Sequence, residues 1–386
     1  MARVTCGDVG HALRVTYDEA IQMIYDHPES DRSKRPVACT FHCVFCVCWH
    51  LRYRLRVRTQ LTTSSNVPPS LPLTHTLFTD AAEVAARAEA VGNFFLRRLD
   101  ANRATKRGEG GPLQPASCVP PSELRGFNFT KVNADEVLFT VGSSYEGRYM
   151  VVVNKFPLAR RHVLLCTADL RAQLMRRDDL RTVAAILTAN PALSAYFNSW
   201  GASASVNHLH VHIVDEGLPS LRRRLRVVAP AHRPSGATRL VLDNFPAAQH
   251  FCFVYSDAAA GRRVAAAADA VAAKTPTSDH TGIEAMWRLL DAMHRAEQPY
   301  NLLFGQGLAV VVPRPEDPTK RGRNEPFTVG DHGGMEFGGR FTLYNGGDLD
   351  AMTGDLMHSA LVNCSSECVA PGWGGGEEDG TPQARL

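Results

Sequence analysis

Lysine is scarce in this chain: of 386 residues six are lysine, although 42 are basic, so nearly all positive charge is arginine. With alanine also over-used, this bias reads as coding composition and carries no functional meaning. A surplus of either charge is missing as well. The 42 basic and 39 acidic residues leave a formal net charge of +3, too little for the basic footprint of a nucleic-acid binder. No run of about 18 apolar residues is present, so a membrane span is not expected. The first residues show no basic-then-apolar leader, which makes a cytoplasmic protein the expectation. Ten cysteines are present, but four of them crowd between Cys39 and Cys48. That is no disulfide framework, and reduced thiols are expected. What remains, at 44% hydrophobic and 21% charged residues, is ordinary globular composition with room for two domains.

Residues 1–78 hold no helical or alternating period, and the sequence predicts a poorly structured segment or translated non-coding sequence there, above all over 22–77. Cys39, Cys43, Cys46 and Cys48, with His42 and His50, resemble half of a zinc site. A structural site needs a second ligand pair across a short loop, and the next cysteine is Cys118; no metal is expected. From residue 79, Asp80 and Glu83 form a capping-box signature ahead of AAEVAARAEAVGNFFLRRL, a predicted helix. EVLFTV, RYMVVVN and HVLLC then read as strands, ADLRAQLMRRDDLRTVAAILTA as a helix, and residues 206–214 as a further strand. Later, FCFVY reads as a strand, RRVAAAADAVAA and GIEAMWRLLDAMHRAEQ as helices, and YNLLF with GLAVVVP as a hairpin. The pattern predicts an α+β fold. Its expected divisions are a first half over 79–240, a second half over 241–350, and a disordered Gly-rich tail over 351–386.

The strongest chemical signal is His208-Leu209-His210-Val211-His212-Ile213-Val214. On a strand, side chains alternate faces, so the three histidines share one and the apolar residues the other. Neutral imidazole is a competent nucleophile toward phosphorus near neutral pH. One ring can bond the phosphorus while its neighbours stabilise the oxygens, provided a carbonyl on its other nitrogen fixes the tautomer. Gly201, Ser203, Ser205 and Asn207, just upstream, can supply donors to a phosphate. A zinc site is the rival, but same-face positions about 6.6 Å apart on a straight strand do not bring three imidazoles onto one ion.

H-φ-H-φ-H-φ-φ, with φ apolar, resembles the signature of the histidine-triad superfamily. The wider text is similar to its GDP-hexose phosphorylase branch, whose animal members act on GDP-D-glucose and plant members on GDP-L-galactose. The segments that carry the resemblance are GFNFTKVNADEVLF, YMVVVNKFPLARRHVLL and YFNSWGASASVNHLHVH, in that order. GNFFLRRLDANRATKR and YNLLFGQGLAVVVPR extend it over residues 92–315. Two departures stand out: Arg161 occupies the place of the family's glycine before HVLL, and NKFPL is nearer the dinucleoside-tetraphosphate phosphorylases. His212, where the plant enzymes have glutamine, matches the animal form.

The resemblance implies a twisted antiparallel sheet with packed helices, in two related halves. It implies a nucleotidyltransferase in which His210 attacks the α-phosphorus of a GDP-hexose, expelling hexose 1-phosphate. Inorganic phosphate, the co-substrate, then releases GDP, and water in its place gives a side hydrolysis. No cofactor is implied, His208 and His212 serve as neighbours of the nucleophile, and Asn154 holds the ribose hydroxyls. Lys131 is a candidate phosphate contact, with a surface lysine as the alternative. Asn207 orients the triad, and His162 either supports the site from behind or is a core histidine, the second reading being favoured. A homodimer stays open. The competing functions are a dinucleoside polyphosphate phosphorylase or hydrolase, and a non-catalytic nucleotide-binding protein.

Overall fold

The structure is a computed structural model that describes residues 3–14, 16, 88–99, 117–120, 126–142, 148–154, 157–159, 161–228, 239–256, 279–316, 332–343, 346–370 and 373. Two strands stand near its start, β1 (Arg3–Thr5) and β2 (Ala88–Val91), followed by β3 (Phe95–Leu99). The region that bears the three histidines holds β4 (Val137–Gly142), β5 (Arg148–Val153), β6 (Val163–Thr167), helix α1 (Arg177–Ala189), β7 (Ser194–Asn198) and β8 (His210–Val214). Then come β9 (Leu225–Val228), β10 (Arg239–Leu242), β11 (Phe251–Val254), helix α2 (Asp279–Arg295), β12 (Tyr300–Gly305) and β13 (Leu308–Pro313). Last are α3 (Gly334–Phe337), β14 (Arg340–Leu343), α4 (Gly346–Ala351) and α5 (Gly354–Asn363).

Eleven strands form one sheet in the order β1-β4-β5-β6-β8-β7-β12-β13-β11-β10-β9, and β14-β3-β2 form a small second sheet. All neighbours in the large sheet are antiparallel except β1 and β4. Its central strands are covered on both sides, which is why β12 and β13 read as continuous apolar runs and are buried at every position. One cover is α1 and α2: Leu180, Val183, Ile186 and Leu187, spaced along one helical stripe, share a core with Met286, Leu289 and Met293 and with the sheet residues Leu209, Val211 and Ile213. The opposite side packs Tyr196, Leu303 and Val310 against Met335, Phe337 and Phe341. The mixed α+β architecture is thus as the sequence predicts. Among the described residues no helix is long and apolar enough to cross a membrane.

Several local expectations are corrected. Part of the predicted helix after residue 79 is a β2–β3 hairpin instead; Gly92, at φ 63, opens its turn. Tertiary pairing overrides helix propensity here, because β3 pairs in parallel with β14 and Phe95 meets Phe341 edge-on at 5.9 Å. The segment 1–78 is not wholly outside the fold: β1 pairs with β4, and Val9 and Leu13 are buried in the main core. Nor is the tail after 351 uniformly free, since α5 buries Met357 and Leu361, and Trp373 packs on Phe251 at 5.7 Å. The boundary at 240/241 falls inside β10, and the β7–β12 pairing runs one sheet through both parts. The cysteine cluster 39–48, residues 79–87 and the predicted helix RRVAAAADAVAA lie outside the described residues.

Candidate active site

Strand β8 is shorter than the sequence predicts and starts at His210, so His208 stands just ahead of it. The preceding loop turns sharply: Gly201 and Ser203 both adopt left-handed backbone, at φ 75 and φ 74. Arg171 O then accepts from Leu209 N at 2.9 Å, and the Asn207 carboxamide oxygen accepts from Gln173 N at 3.1 Å. These bonds also explain why α1 begins at Arg177 and not at residue 168: the intervening backbone serves the triad segment. From Leu209 onward the pleat sorts the side chains, with Leu209, Val211 and Ile213 in the helix-side core. The rings of His210 and His212 meet on the other side, with centroids 5.2 Å apart.

The ring nitrogens show how each histidine is held. His210 Nδ1 lies 2.8 Å from the carbonyl oxygen of His208. A carbonyl can only accept, so Nδ1 carries the proton and Nε2 keeps the lone pair. His208 is satisfied on both sides: its Nδ1 accepts from Phe129 N at 3.0 Å, and its Nε2 donates to Thr167 O at 2.9 Å, with the Thr167 hydroxyl at 3.0 Å. Burial pushes this imidazole below its ordinary value, with the Thr167 and Asp169 backbone opposing, so it is neutral at pH 7. His208 therefore joins the FNF segment to the end of β6. Phe129 in turn covers the triad, with its ring 5.6 Å from His208 and 5.1 Å from His210.

A fourth histidine belongs to the group. His162, expected as a core residue, accepts from Leu158 N at Nδ1, 2.9 Å away. Neutral, it carries its proton on Nε2, which lies 2.9 Å from His212 Nδ1 and 3.2 Å from the Tyr196 hydroxyl. Donation to Nδ1 leaves the proton of His212 on its Nε2. Tyr196 stacks flat on His212, with centroids 4.3 Å apart and planes 6° from parallel. Nothing in the local sequence around His162 or Tyr196 marks this contact; only the antiparallel register Leu164↔His212 and Tyr196↔His212 creates it.

Asn154, just after β5, brings its carboxamide to 3.1 Å from His162 Nε2; that nitrogen carries the proton, so the carboxamide oxygen is the end that can accept from it. Ser203 donates its hydroxyl to His332 O at 2.9 Å, which ties the loop to the chain's later half and steadies its left-handed backbone. Ser205 is exposed on the same loop. Lys131 donates to Gly126 O at 2.6 Å, on the exposed rim of the FNF turn.

Arg161 accounts for one departure from the family pattern. It has φ 44, in the region that glycine adopts without cost. Its guanidinium donates to Asp215 at 2.8 Å, with side chains 11% and 9% exposed. The strained turn sets the position of His162, the next residue.

Residues 92–214 match the family model described as GDPGP1-like, N-terminal domain. The triad, His162, Asn154 and the FNF turn all lie within that match. The resemblance to the GDP-hexose phosphorylases holds. GDP-D-glucose phosphorylase 1 of Homo sapiens is 40% identical over 136 residues, covering 32% of this chain and 34% of that protein. The Danio rerio protein of the same name is 33% identical over 124 residues, covering 31% and 35%. The chain thus spans about a third of the length of the curated relatives it matches. Among solved structures, yeast Ap4A phosphorylase Apa2 in complex with Ap4A is 16% identical, with a TM-score of 0.49 over 72% of this chain and 88% of that one.

Proposed function

We propose that this chain catalyses phosphorolysis of a GDP-hexose to GDP and hexose 1-phosphate through a guanylylated His210. The observation that carries the reading is the 2.8 Å contact between His210 Nδ1 and His208 O, which leaves Nε2 as the nucleophile. In the first displacement Nε2 bonds the α-phosphorus and the bond to the bridging oxygen breaks, so the hexose leaves as its 1-phosphate. The imidazolium that forms keeps its Nδ1 proton on the His208 carbonyl. In the second displacement an oxygen of inorganic phosphate attacks the same phosphorus, the P–N bond breaks, and GDP departs.

The roles of the neighbours follow from their protons. His212, with its proton on Nε2, donates to a non-bridging or departing oxygen as charge develops. His208, engaged at both ring nitrogens, acts as an anchor for Phe129 and for the carbonyl that orients His210. Asn154 and Ser205 are the remaining polar groups for ribose and phosphate, and Ser203 and Asn207 shape the loop that presents them. The two displacements call for no group beyond the nucleotide sugar and phosphate. The likeness of residues 92–214 to a GDPGP1-like domain supports the guanine nucleotide as substrate.

A substrate panel tests this. With phosphate present, GDP-glucose should yield GDP and glucose 1-phosphate, and His210→Ala should abolish the reaction. Release of ADP from Ap4A with no turnover of GDP-glucose would overturn the assignment in favour of a dinucleoside polyphosphate phosphorylase, the direction in which NKFPL points.

A further inference from the structure

Strands β7 and β8 pair from Ser194↔Val214 to Tyr196↔His212, where their ladder stops. Two residues further, the same register would set Asn198 opposite His210. A side chain stands there instead. The carboxamide oxygen of Gln173 accepts from His210 N at 2.9 Å, and its nitrogen donates to His210 O at 3.2 Å and to Asn198 O at 2.9 Å. Gln173 is fully buried. One acceptor and two donor hydrogens are all used, so the amide does for His210 what a peptide unit of the neighbouring strand would do. On the other side, Leu209 O accepts from Thr167 N, so the β6 ladder engages Leu209 and leaves the polar groups of His210 facing Gln173.

We propose that Gln173 is a positioning residue for His210, a side-chain substitute for the strand that β7 ceases to be. This inference rests on the reading of His210 as nucleophile. The ring of His210 is aimed by its bond to the carbonyl of His208, two residues back, so its direction is only as fixed as the backbone of 208–210. Gln173 holds both polar groups of His210, and its own N–H is held by Asn207. No other residue fits the task. Asparagine is a methylene too short, glutamate has no donor when ionised, and methionine would leave buried groups of His210 and Asn198 without partners.

The test compares Gln173→Glu with the isosteric Gln173→Met. Glutamate keeps the acceptor but turns an ionised oxygen toward two carbonyls, and only its protonated form donates. With GDP-glucose and phosphate at pH 8, kcat of Gln173→Glu should fall about 10- to 100-fold, the scale of a roughly 1 Å misplacement, with KM little changed. The ratio of its kcat to that of the native protein should rise as pH falls, and Gln173→Met should show no such recovery. Hydrogen exchange at the His210 amide should quicken in both variants. The methionine variant carries that measurement should the glutamate fail to fold. A pH-independent ratio, or native kcat and native exchange in Gln173→Glu, would overturn the proposal. Faster exchange at His210, in a protein whose native form makes no adduct there, would uphold the clamp and overturn the nucleophile.

Discussion

Replacing Arg161 by alanine and by glycine separates two effects held at one residue. Arg161 sits at φ 44 and is paired with Asp215 at 2.8 Å in a half-buried setting. Either substitution removes the charge-assisted bond, a loss of about 1–2 kcal/mol. Alanine keeps the Cβ and so the left-handed strain of about 1–2 kcal/mol. Glycine releases that strain but gives back about 0.4–1 kcal/mol through the greater freedom of its unfolded chain. The glycine variant should therefore be the more stable of the two by about 0.5–1 kcal/mol, while both fall below the native protein. Urea unfolding midpoints, with a common slope, read the difference directly. Should alanine prove as stable as glycine, the strain argument for this turn is wrong, and with it the account of how the chain tolerates arginine at the family's glycine position.

Two further predictions follow from the ring contacts. His162→Phe keeps the ring volume but removes the proton donated to His212 Nδ1; a buried bond of about 1–3 kcal/mol corresponds to a drop in kcat of about 5- to 150-fold, and an unchanged kcat with GDP-glucose would exclude the contact from the reaction. Stability should also depend on acid. Burial pushes the His294 imidazole down to about 4, with the Asp291 carboxylate opposing, and burial lowers His208 too. Below pH 6.5 the unfolded chain takes up protons that the fold refuses, so stability is full above that value and falls toward pH 4, by roughly 3 kcal/mol for His294 alone. Denaturant titrations across that window should show the slope, and His294→Gln should flatten it.

The triad was legible in the sequence because its signal is local: alternation of histidine with leucine, valine and isoleucine encodes one buried and one polar face. The hairpin of β12 and β13, helix α2 and the strands β4 to β6 were legible for the same reason. What sets the chemistry was less so. His162 reaches His212, and Tyr196 stacks on it, through strand register across 50 and 16 residues of sequence, and Gln173 lies in a stretch whose apolar spacing reads as the start of a helix although the helix begins only at Arg177. The segment GFNFTKVNADEVLF carries part of the resemblance, but its purpose, Phe129 N–H on His208 and its ring over His210, appears only once the chain is folded. Over 88–99, the described part of the helix expected over 81–99, a hairpin forms instead, because alanine-rich text favours a helix locally whereas pairing with β14 decides otherwise.

The central claim is that His210 Nε2 becomes bonded to the α-phosphorus. Incubating the protein with GDP-glucose in the absence of phosphate, then mapping its peptides by mass spectrometry, tests this most directly. The account predicts one guanylyl group, on His210, discharged as GDP when phosphate is added. Turnover of GDP-glucose with no adduct on any histidine, or an adduct on His208 or His212 in its place, would contradict it.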